Sequence, residues 1–299
     1  DKNIIEIGCG KGDFLHLICH LGNNRGLGFD PAYVPGREEL RFANGERQGH
    51  VRFIQDYYSE EYTHTKADVY VCRMTLEHIS RPYDFLKMIR RSIGDSKSLV
   101  CFQVPNMNRI LEECAFEDIY YEHCSYFTPG ALATLFRLTG FEVLGVRTVY
   151  GHQYLMLEGL PTVKDFPGQK EWFKTAEASE TQGLITHFMD RYREKIETYW
   201  KNRIDEMFRQ GQKVVVWGSG SKGVAFLTTL GIKEAVEYVV DINPHRQGTY
   251  MAGTGQTIVA PAFLRDYRPG AVIVMNAIYV PEIKNDLRSM GLSPEVEAL

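Results

Sequence analysis

The sequence predicts an α/β protein made of two parallel-sheet halves in tandem, and three observations carry that prediction. Asn3-Ile4-Ile5-Glu6-Ile7 is a short branched-apolar run that opens into Gly8-Cys9-Gly10-Lys11-Gly12 and then Asp13-Phe14-Leu15. This is the grammar of a buried strand, a tight glycine turn and a helix start. The same grammar recurs where Lys213-Val214-Val215-Val216-Trp217 runs into Gly218-Ser219-Gly220-Ser221-Lys222-Gly223. Between the two turns, strand-like apolar runs alternate with segments of helical spacing, as βαβ units do.

Composition bounds the class. The 299 residues are enough for two domains or one large α/β unit, and 44% apolar with 24% charged residues describes a soluble globular chain. A formal charge of −4 supplies no global attraction to DNA or RNA, so no nucleic-acid partner is expected. No apolar run reaches membrane-spanning length and no secretory leader opens the sequence, which makes a cytoplasmic location the default. The six cysteines, Cys9, Cys19, Cys72, Cys101, Cys114 and Cys124, form no Cys-x-x-Cys pair and read as free thiols rather than a disulfide scaffold or zinc site.

In chain order, residues 13–21 predict a helix with Phe14, Leu17, Ile18 and Leu21 inward. Gly26 to Phe29 reads as the second strand, ending at Asp30, whose carboxylate suits the two hydroxyls of an adenosine ribose but also suits a plain turn before Pro31. A crossover helix is expected over 35–43 and a third strand over 51–54, followed by Asp56 and the aromatic pair Tyr57 and Tyr58. The fourth strand, 67–72, leads into Arg73-Met74-Thr75-Leu76-Glu77-His78-Ile79, a segment that leaves the carboxyl end of an open sheet, where ligands bind. A helix over 83–93, a strand over 98–104, a turn at Pro105-Asn106, a helix over 129–139 and an antiparallel pair over 141–149 and 153–158 complete the first half.

The Glu-x-Gly-x-Gly-x-Gly turn, joined to Asp30 at this spacing, resembles the cofactor half of class I S-adenosylmethionine-dependent methyltransferases. The resemblance implies a class I methyltransferase Rossmann-like domain, with S-adenosyl-L-methionine as cofactor and S-adenosyl-L-homocysteine as product. It places Glu6, Gly8, Gly10 and Gly12 at the methionine part, Asp30 at the ribose and Asp56 near the adenine. It also sets Arg73 and His78 at the border of the cofactor pocket, where helix-start packing is the plainer role for His78.

Before the helix over 129–139 stands Ile119-Tyr120-Tyr121-Glu122-His123-Cys124-Ser125-Tyr126. Histidine can take a proton near neutral pH, a carboxylate can orient it, and a tyrosine hydroxyl can steady an oxyanion. These are the groups that carbon deprotonation needs, although an aromatic lid packed on the sheet would use similar residues. With the cofactor turn and the later half, this stretch resembles sugar C-methyltransferases that act on nucleotide-linked 4-keto-deoxysugars, the 3-C-methyltransferase group. The resemblance assigns His123 as base, with Tyr120 and Glu122 orienting the sugar or tuning the base, and no metal is required. The resemblance implies a leader of a cysteine-rich zinc module and helices, part of which supplies a substrate-contacting tyrosine, so the expectation is either such a region upstream of Asp1 or a pocket closed differently.

Residues 170–210 read as a helical connector with Phe188, Tyr192, Ile196, Tyr199, Ile204 and Phe208 as its apolar stripe. Strands at 213–217, 236–240 and 271–275, helices at 224–230 and 281–290 and a final edge strand then build a second Rossmann-like α/β domain. Its glycine turn alone also matches a dinucleotide fingerprint with Asp241 as the acid, which keeps a redox enzyme open. The resemblance instead gives this half to the nucleotide-sugar, with Ser219, Ser221, Lys222, Asn276 and Tyr279 as contacts. The expected divisions are 1–160 for the cofactor domain, 161–211 for the connector and 212–299 for the substrate domain. O- or N-methylation of a small metabolite and non-catalytic binding of a nucleotide-sugar are the alternative functions.

Overall fold

A computed structural model describes residues 1–36, 50–163 and 176–299. The expected helix over 35–43 and the start of the 170–210 connector lie largely outside these residues. The chain divides into two compact units, one of Asp1–Asn108 with Glu122–Glu180, the other of Arg109–Tyr121 with Thr181–Leu299.

The first unit is organised by β1 (Asn3–Ile7), with α1 (Asp13–Gly22), β2 (Arg25–Phe29), β3 (His50–Ile54), β4 (Val69–Arg73), α2 (Pro82–Ile93) and β5 (Leu99–Pro105) following in order. Then come α3 (Met107–Glu112), which runs across the division between units, α4 (Pro129–Leu138), β6 (Phe141–Val149) and β7 (Tyr154–Pro161). Strand order is β3-β2-β1-β4-β5-β7-β6, parallel through β5 and antiparallel for β7 and β6. The chain winds outward from β1 to β3, then returns to β4 on the other side, which opens a crevice at the carboxyl ends of β1 and β4. One core layer joins Ile5, Tyr70, Phe102, Phe136 and Leu155, all at most 1% exposed. Helix ends follow local chemistry, since Thr128 accepts the Ala131 amide at 3.1 Å and Pro129 begins α4.

The inward face expected for α1 is corrected. Leu15, His16 and Cys19 are the buried positions, and of the expected residues Phe14 and Ile18 pack half-buried against that cluster, whereas Leu21 is 77% exposed and Leu17 lies at the surface. Gly26 explains the phase: a side chain there would lie 2.8 Å from Cys19 Sγ and Leu15 Cγ, so the bare backbone of β2 receives those two residues.

The second unit begins with most of α5 (Ala176–Arg193), a π-helical turn over Glu194–Trp200 and α6 (Lys201–Arg209). There follow β8 (Val214–Trp217), α7 (Ser221–Leu230), β9 (Val236–Val240), β10 (Thr257–Val259), α8 (Leu264–Tyr267), β11 (Ala271–Val274), α9 (Val280–Ser289) and β12 (Glu295–Ala298). All strands are parallel in the order β10-β9-β8-β11-β12, so this half is Rossmann-like as the sequence predicts. The short strand β10 was not anticipated, its three residues being too few to show a period. The segment 109–121 packs here, with Phe116 against Phe226 and Tyr192 at ring distances of 6.4 and 6.0 Å.

Candidate active site

The glycine turn closes on itself and on β2: Gly8 and Cys9 amides donate to Phe29 O at 2.8 and 3.1 Å, and Gly12 N donates to Cys9 O at 2.8 Å. Gly8, Gly10 and Gly12 have φ of +74°, +54° and +85°, a region costly for other residues. Their environments differ. A Cβ on Gly8 would sit 1.9 Å from Thr75 Oγ1 and one on Gly12 would sit 2.3 Å from the Phe53 ring, whereas one on Gly10 meets nothing within 4 Å. Gly8 and Gly12 therefore serve packing, and Gly10 leaves the backbone open to a ligand. Asp30 is fixed beside it, accepting the Gly10 amide at 2.9 Å and the Ala32 amide at 2.8 Å.

A cavity of about 720 Å³ opens here, and Glu6, Gly8, Gly10, Asp30, Asp56, Arg73 and His78 all line it. Gly12 stands behind Phe53, outside the lining. Asp56 accepts from the Tyr57 amide at 2.7 Å and the Tyr62 hydroxyl at 2.8 Å. Tyr57 is exposed at the rim, while Tyr58 turns its hydroxyl to Ser92, 2.6 Å away. Glu6 is 2% exposed, and burial pushes its carboxyl up to about 8 despite Arg73 at 3.9 Å. Its Oε2 has no hydrogen-bond partner among the described residues. Met74, also in the lining, holds φ +53°, a strained backbone no sequence pattern announced.

Next to this cavity the Leu76–His78 turn holds the candidate base segment. Cys124 N and Ser125 N donate to Glu77 O at 2.7 and 3.2 Å, and His78 Nδ1 donates to Glu122 O at 2.9 Å, because a carbonyl can only accept. The His123 ring lies 5.0 Å from that of His78 and 5.5 Å from Tyr126, edge-on to both, and the residue is 9% exposed. Glu122 has an exposed side chain. Tyr120 is half-buried on the 109–121 segment, which belongs to the second unit. Sequence reasoning left Glu77 without a role, yet it is 0% exposed, with both carboxylate oxygens lacking a hydrogen-bond partner among the described residues. Burial pushes its carboxyl up to about 7. A Glu77 oxygen and one ring nitrogen each of His78 and His123 lie within 4.8 Å of one another, a set able to share protons or hold a cation.

In the second unit a cavity of about 360 Å³ is lined by Gly218, Gly220, Ser221, Lys222, Asp241, Asn276 and Tyr279. Lys222 Nζ is paired with Asp118 at 2.8 Å and Glu117 at 3.8 Å. Ser219 is behind the lining, its amide 3.1 Å from Asp241 Oδ2 and its hydroxyl bonded to the same oxygen. Asn276 Oδ1 accepts the Ile278 amide at 3.2 Å, and Tyr279 is 43% exposed.

The winding of the first sheet, its glycine turn and the acid at the end of β2 define the class I S-adenosylmethionine-dependent methyltransferases. Residues 1–146 match a methyltransferase domain and residues 172–292 a C-methyltransferase C-terminal domain, so the chain belongs to that class and carries the second half of its C-methyltransferase members. It is 25% identical over 289 residues to the C-methyltransferase NovU of Streptomyces niveus, covering 94% of this chain and 67% of the relative. It is 26% identical over 176 residues to a malonyl-[acyl-carrier protein] O-methyltransferase of a Paenibacillus species, covering 56% of this chain and 63% of that protein. The chain thus spans about two thirds of the length of each. The S-adenosylhomocysteine-bound methyltransferase CalO1 overlaps 54% of this chain and 49% of its own at 20% identity and a TM-score of 0.42.

The residues present fit the cofactor of this class. S-adenosylmethionine carries positive charge on its sulfonium and amino groups, and the cavity offers it the buried, incompletely bonded carboxyl of Glu6, which a cation beside it would ionise, together with Asp30. Gly10 keeps the approach to the backbone clear. No helix among the described residues is long and apolar enough to cross a membrane.

Proposed function

We propose that this chain methylates the carbon adjacent to the carbonyl of a nucleotide-linked keto-sugar, working in the cytoplasm on a small molecule and not on nucleic acid. The observation that carries the reading is a buried histidine, His123, set edge-on to His78, which itself lines the cofactor cavity. Similarity to a C-methyltransferase over nearly the whole chain supports carbon as the acceptor.

A carbon beside a carbonyl loses its proton because the electron pair moves onto oxygen. In this reading His123 takes that proton, and the enolate carbon becomes the nucleophile. S-adenosylmethionine supplies an electrophilic methyl group. His78, fixed by Glu122 O, borders the site where the two meet, and Tyr120 and the Glu122 side chain are assigned to orienting the sugar. Ser221, Lys222, Asn276 and Tyr279, with Ser219 behind them, are assigned to the nucleotide end. A cavity at the carboxyl ends of β8 and β11 supports that assignment.

The test is incubation with methyl-labelled cofactor and a panel of nucleotide-linked 4-keto-sugars, with NMR of the product. A carbon-bound methyl is expected; methyl on oxygen or nitrogen would move the chain to the alternative small-metabolite class, and substrate-dependent NAD reduction would make it a redox enzyme. His123→Asn is expected to lower turnover by about 10²-fold or more at saturation while cofactor affinity stays within about threefold. Equal turnover in the variant would remove His123 as base.

A further inference from the structure

We propose that Glu77 is the positioning residue of the base: its buried carboxylate accepts a ring N–H of His123, selects the tautomer that can take the substrate proton and offsets the imidazolium that results. The inference rests on the proposed carbon deprotonation and adds to it a carboxylate that the sequence reading had located in Glu122.

Four observations point to Glu77. It is 0% exposed with both carboxylate oxygens unmatched by any hydrogen bond among the described residues, and a buried carboxylate in that condition is costly unless a donor serves it. The donor-bearing groups clustered with it are the two imidazoles, with one ligating atom from each of the three residues inside 4.8 Å, close enough for a direct or single-water bond after a small side-chain rotation. Neutral His78 has one ring proton, and that proton is committed to Glu122 O, so its Nε2 can only accept. His123 is then the imidazole able to donate to Glu77. Finally, Glu77 O already receives the Cys124 and Ser125 amides, so one residue holds both the segment bearing the base and, by this proposal, the base itself.

Glu122 is less suited to that task. Its side chain is exposed, where water weakens any charge it directs at the ring, and what the structure uses is its backbone carbonyl. A carboxylate that fixes an imidazole tautomer and stabilises its charged form without itself being protonated is an established catalytic arrangement. Here the sugar C–H bond breaks, its electron pair moves to the carbonyl oxygen, the proton joins one nitrogen of His123, and the N–H on the other nitrogen stays directed at Glu77. Burial raises the Glu77 carboxyl to about 7, and the imidazolium formed as His123 takes the proton holds that carboxyl in its ionised form.

The experiment compares the full chain as wild type, Glu77→Gln, Glu77→Asp and Glu122→Gln. The first readout is exchange of the sugar carbon hydrogen in D2O with S-adenosylhomocysteine present, which isolates proton removal. Glu77→Gln is expected to slow exchange by about 10²-fold or more, with KM for the sugar within about threefold. Glu77→Asp should recover part of the rate, and Glu122→Gln should lose less than Glu77→Gln. The second readout needs no substrate: ring 15N shifts of His123 should report one neutral tautomer in the wild type and move toward the two-tautomer average in Glu77→Gln. Exchange at the wild-type rate, unchanged His123 shifts, or activity abolished by chelation and restored by a divalent ion would each overturn the proposal. Wild-type protein that exchanges no keto-sugar hydrogen, while its His123 shifts still respond to Glu77→Gln, would refute the substrate reading and leave the Glu77–His123 pair standing.

Discussion

Glu6 shows how one buried carboxyl links stability to cofactor binding. Its pKa is raised by burial to about 8 against an ordinary 4.5, with Arg73 opposing the shift and the nearby Asp30 adding to it. Between those two values the folded chain holds a proton that the unfolded chain has released, so stability falls as pH rises from about 4.5 to about 8. Glu6→Gln cannot ionise and should flatten that slope; the difference in urea unfolding free energy between pH 5.5 and 8.5 should shrink by roughly a few kcal/mol. An unchanged slope would show that Glu6 titrates normally. The same carboxyl should release a proton when the cationic cofactor binds near neutral pH, which calorimetry in two buffers of different ionisation enthalpy reads directly. Glu6 was legible in the sequence because it stands just before a glycine turn, and Asp30 because it ends the next strand-like run. Glu77 was not, since a Leu-Glu-His triplet looks alike whether its acid faces water or the core, and only burial without a partner distinguishes the two.

At the scale of elements, strands were the most legible feature, because a strand buried on both faces is a continuous apolar run; β1, β4, β8 and β11 all read that way. Helical faces were less legible, since facing direction depends on phase. In the connector the expected stripe holds at Phe188, Ile196 and Ile204 but fails at Tyr199 and Phe208, which are 47% and 51% exposed. Trp200 and Met207 are buried in their place, each 1% exposed. The π-helical turn over Glu194–Trp200 accounts for the shift from Tyr199 to Trp200, because a wider turn takes in an extra residue and advances the inward face by one position, and Met207 then follows Ile204 at the ordinary three-residue step of α6. The inward series becomes Ile196, Trp200, Ile204 and Met207, and Trp200 packs edge-on to Phe226 at 5.3 Å. Trp200→Ala should therefore cost about 3–5 kcal/mol, whereas Tyr199→Ala should cost about 1 kcal/mol, chiefly its hydroxyl's bond to Glu297. Urea unfolding of both variants checks this, and the reverse order of losses would restore the regular stripe.

At the scale of the whole molecule, the path of the chain matters as much as its sheets. Residues 109–121 fall between β5 and α4 in sequence but pack with the second unit. The reason is local and physical: Phe116 is 3% exposed against Phe226 and Tyr192, and Glu117, 2% exposed, sits beside Lys222. Lys222 and Arg109 both pair with Asp118, at 2.8 and 2.7 Å. No periodicity within 109–121 reveals this, because Tyr192, Lys222 and Phe226 lie far along the chain from it. What a fragment of residues 1–160 loses is thus the packing of this segment. In a 1–160 fragment Phe116 lacks its aromatic partners and Glu117 lacks its cation, so an apolar ring and a carboxylate are both left uncompensated. Hydrogen exchange should find amides of 109–121 unprotected in the fragment and protected in the full chain, while β1, β4 and β5 stay protected in both. Equal protection of 109–121 in the two proteins would mean that its contacts with the second unit contribute little. Loss of protection throughout the sheet would mean that the first unit needs this segment anchored in order to fold.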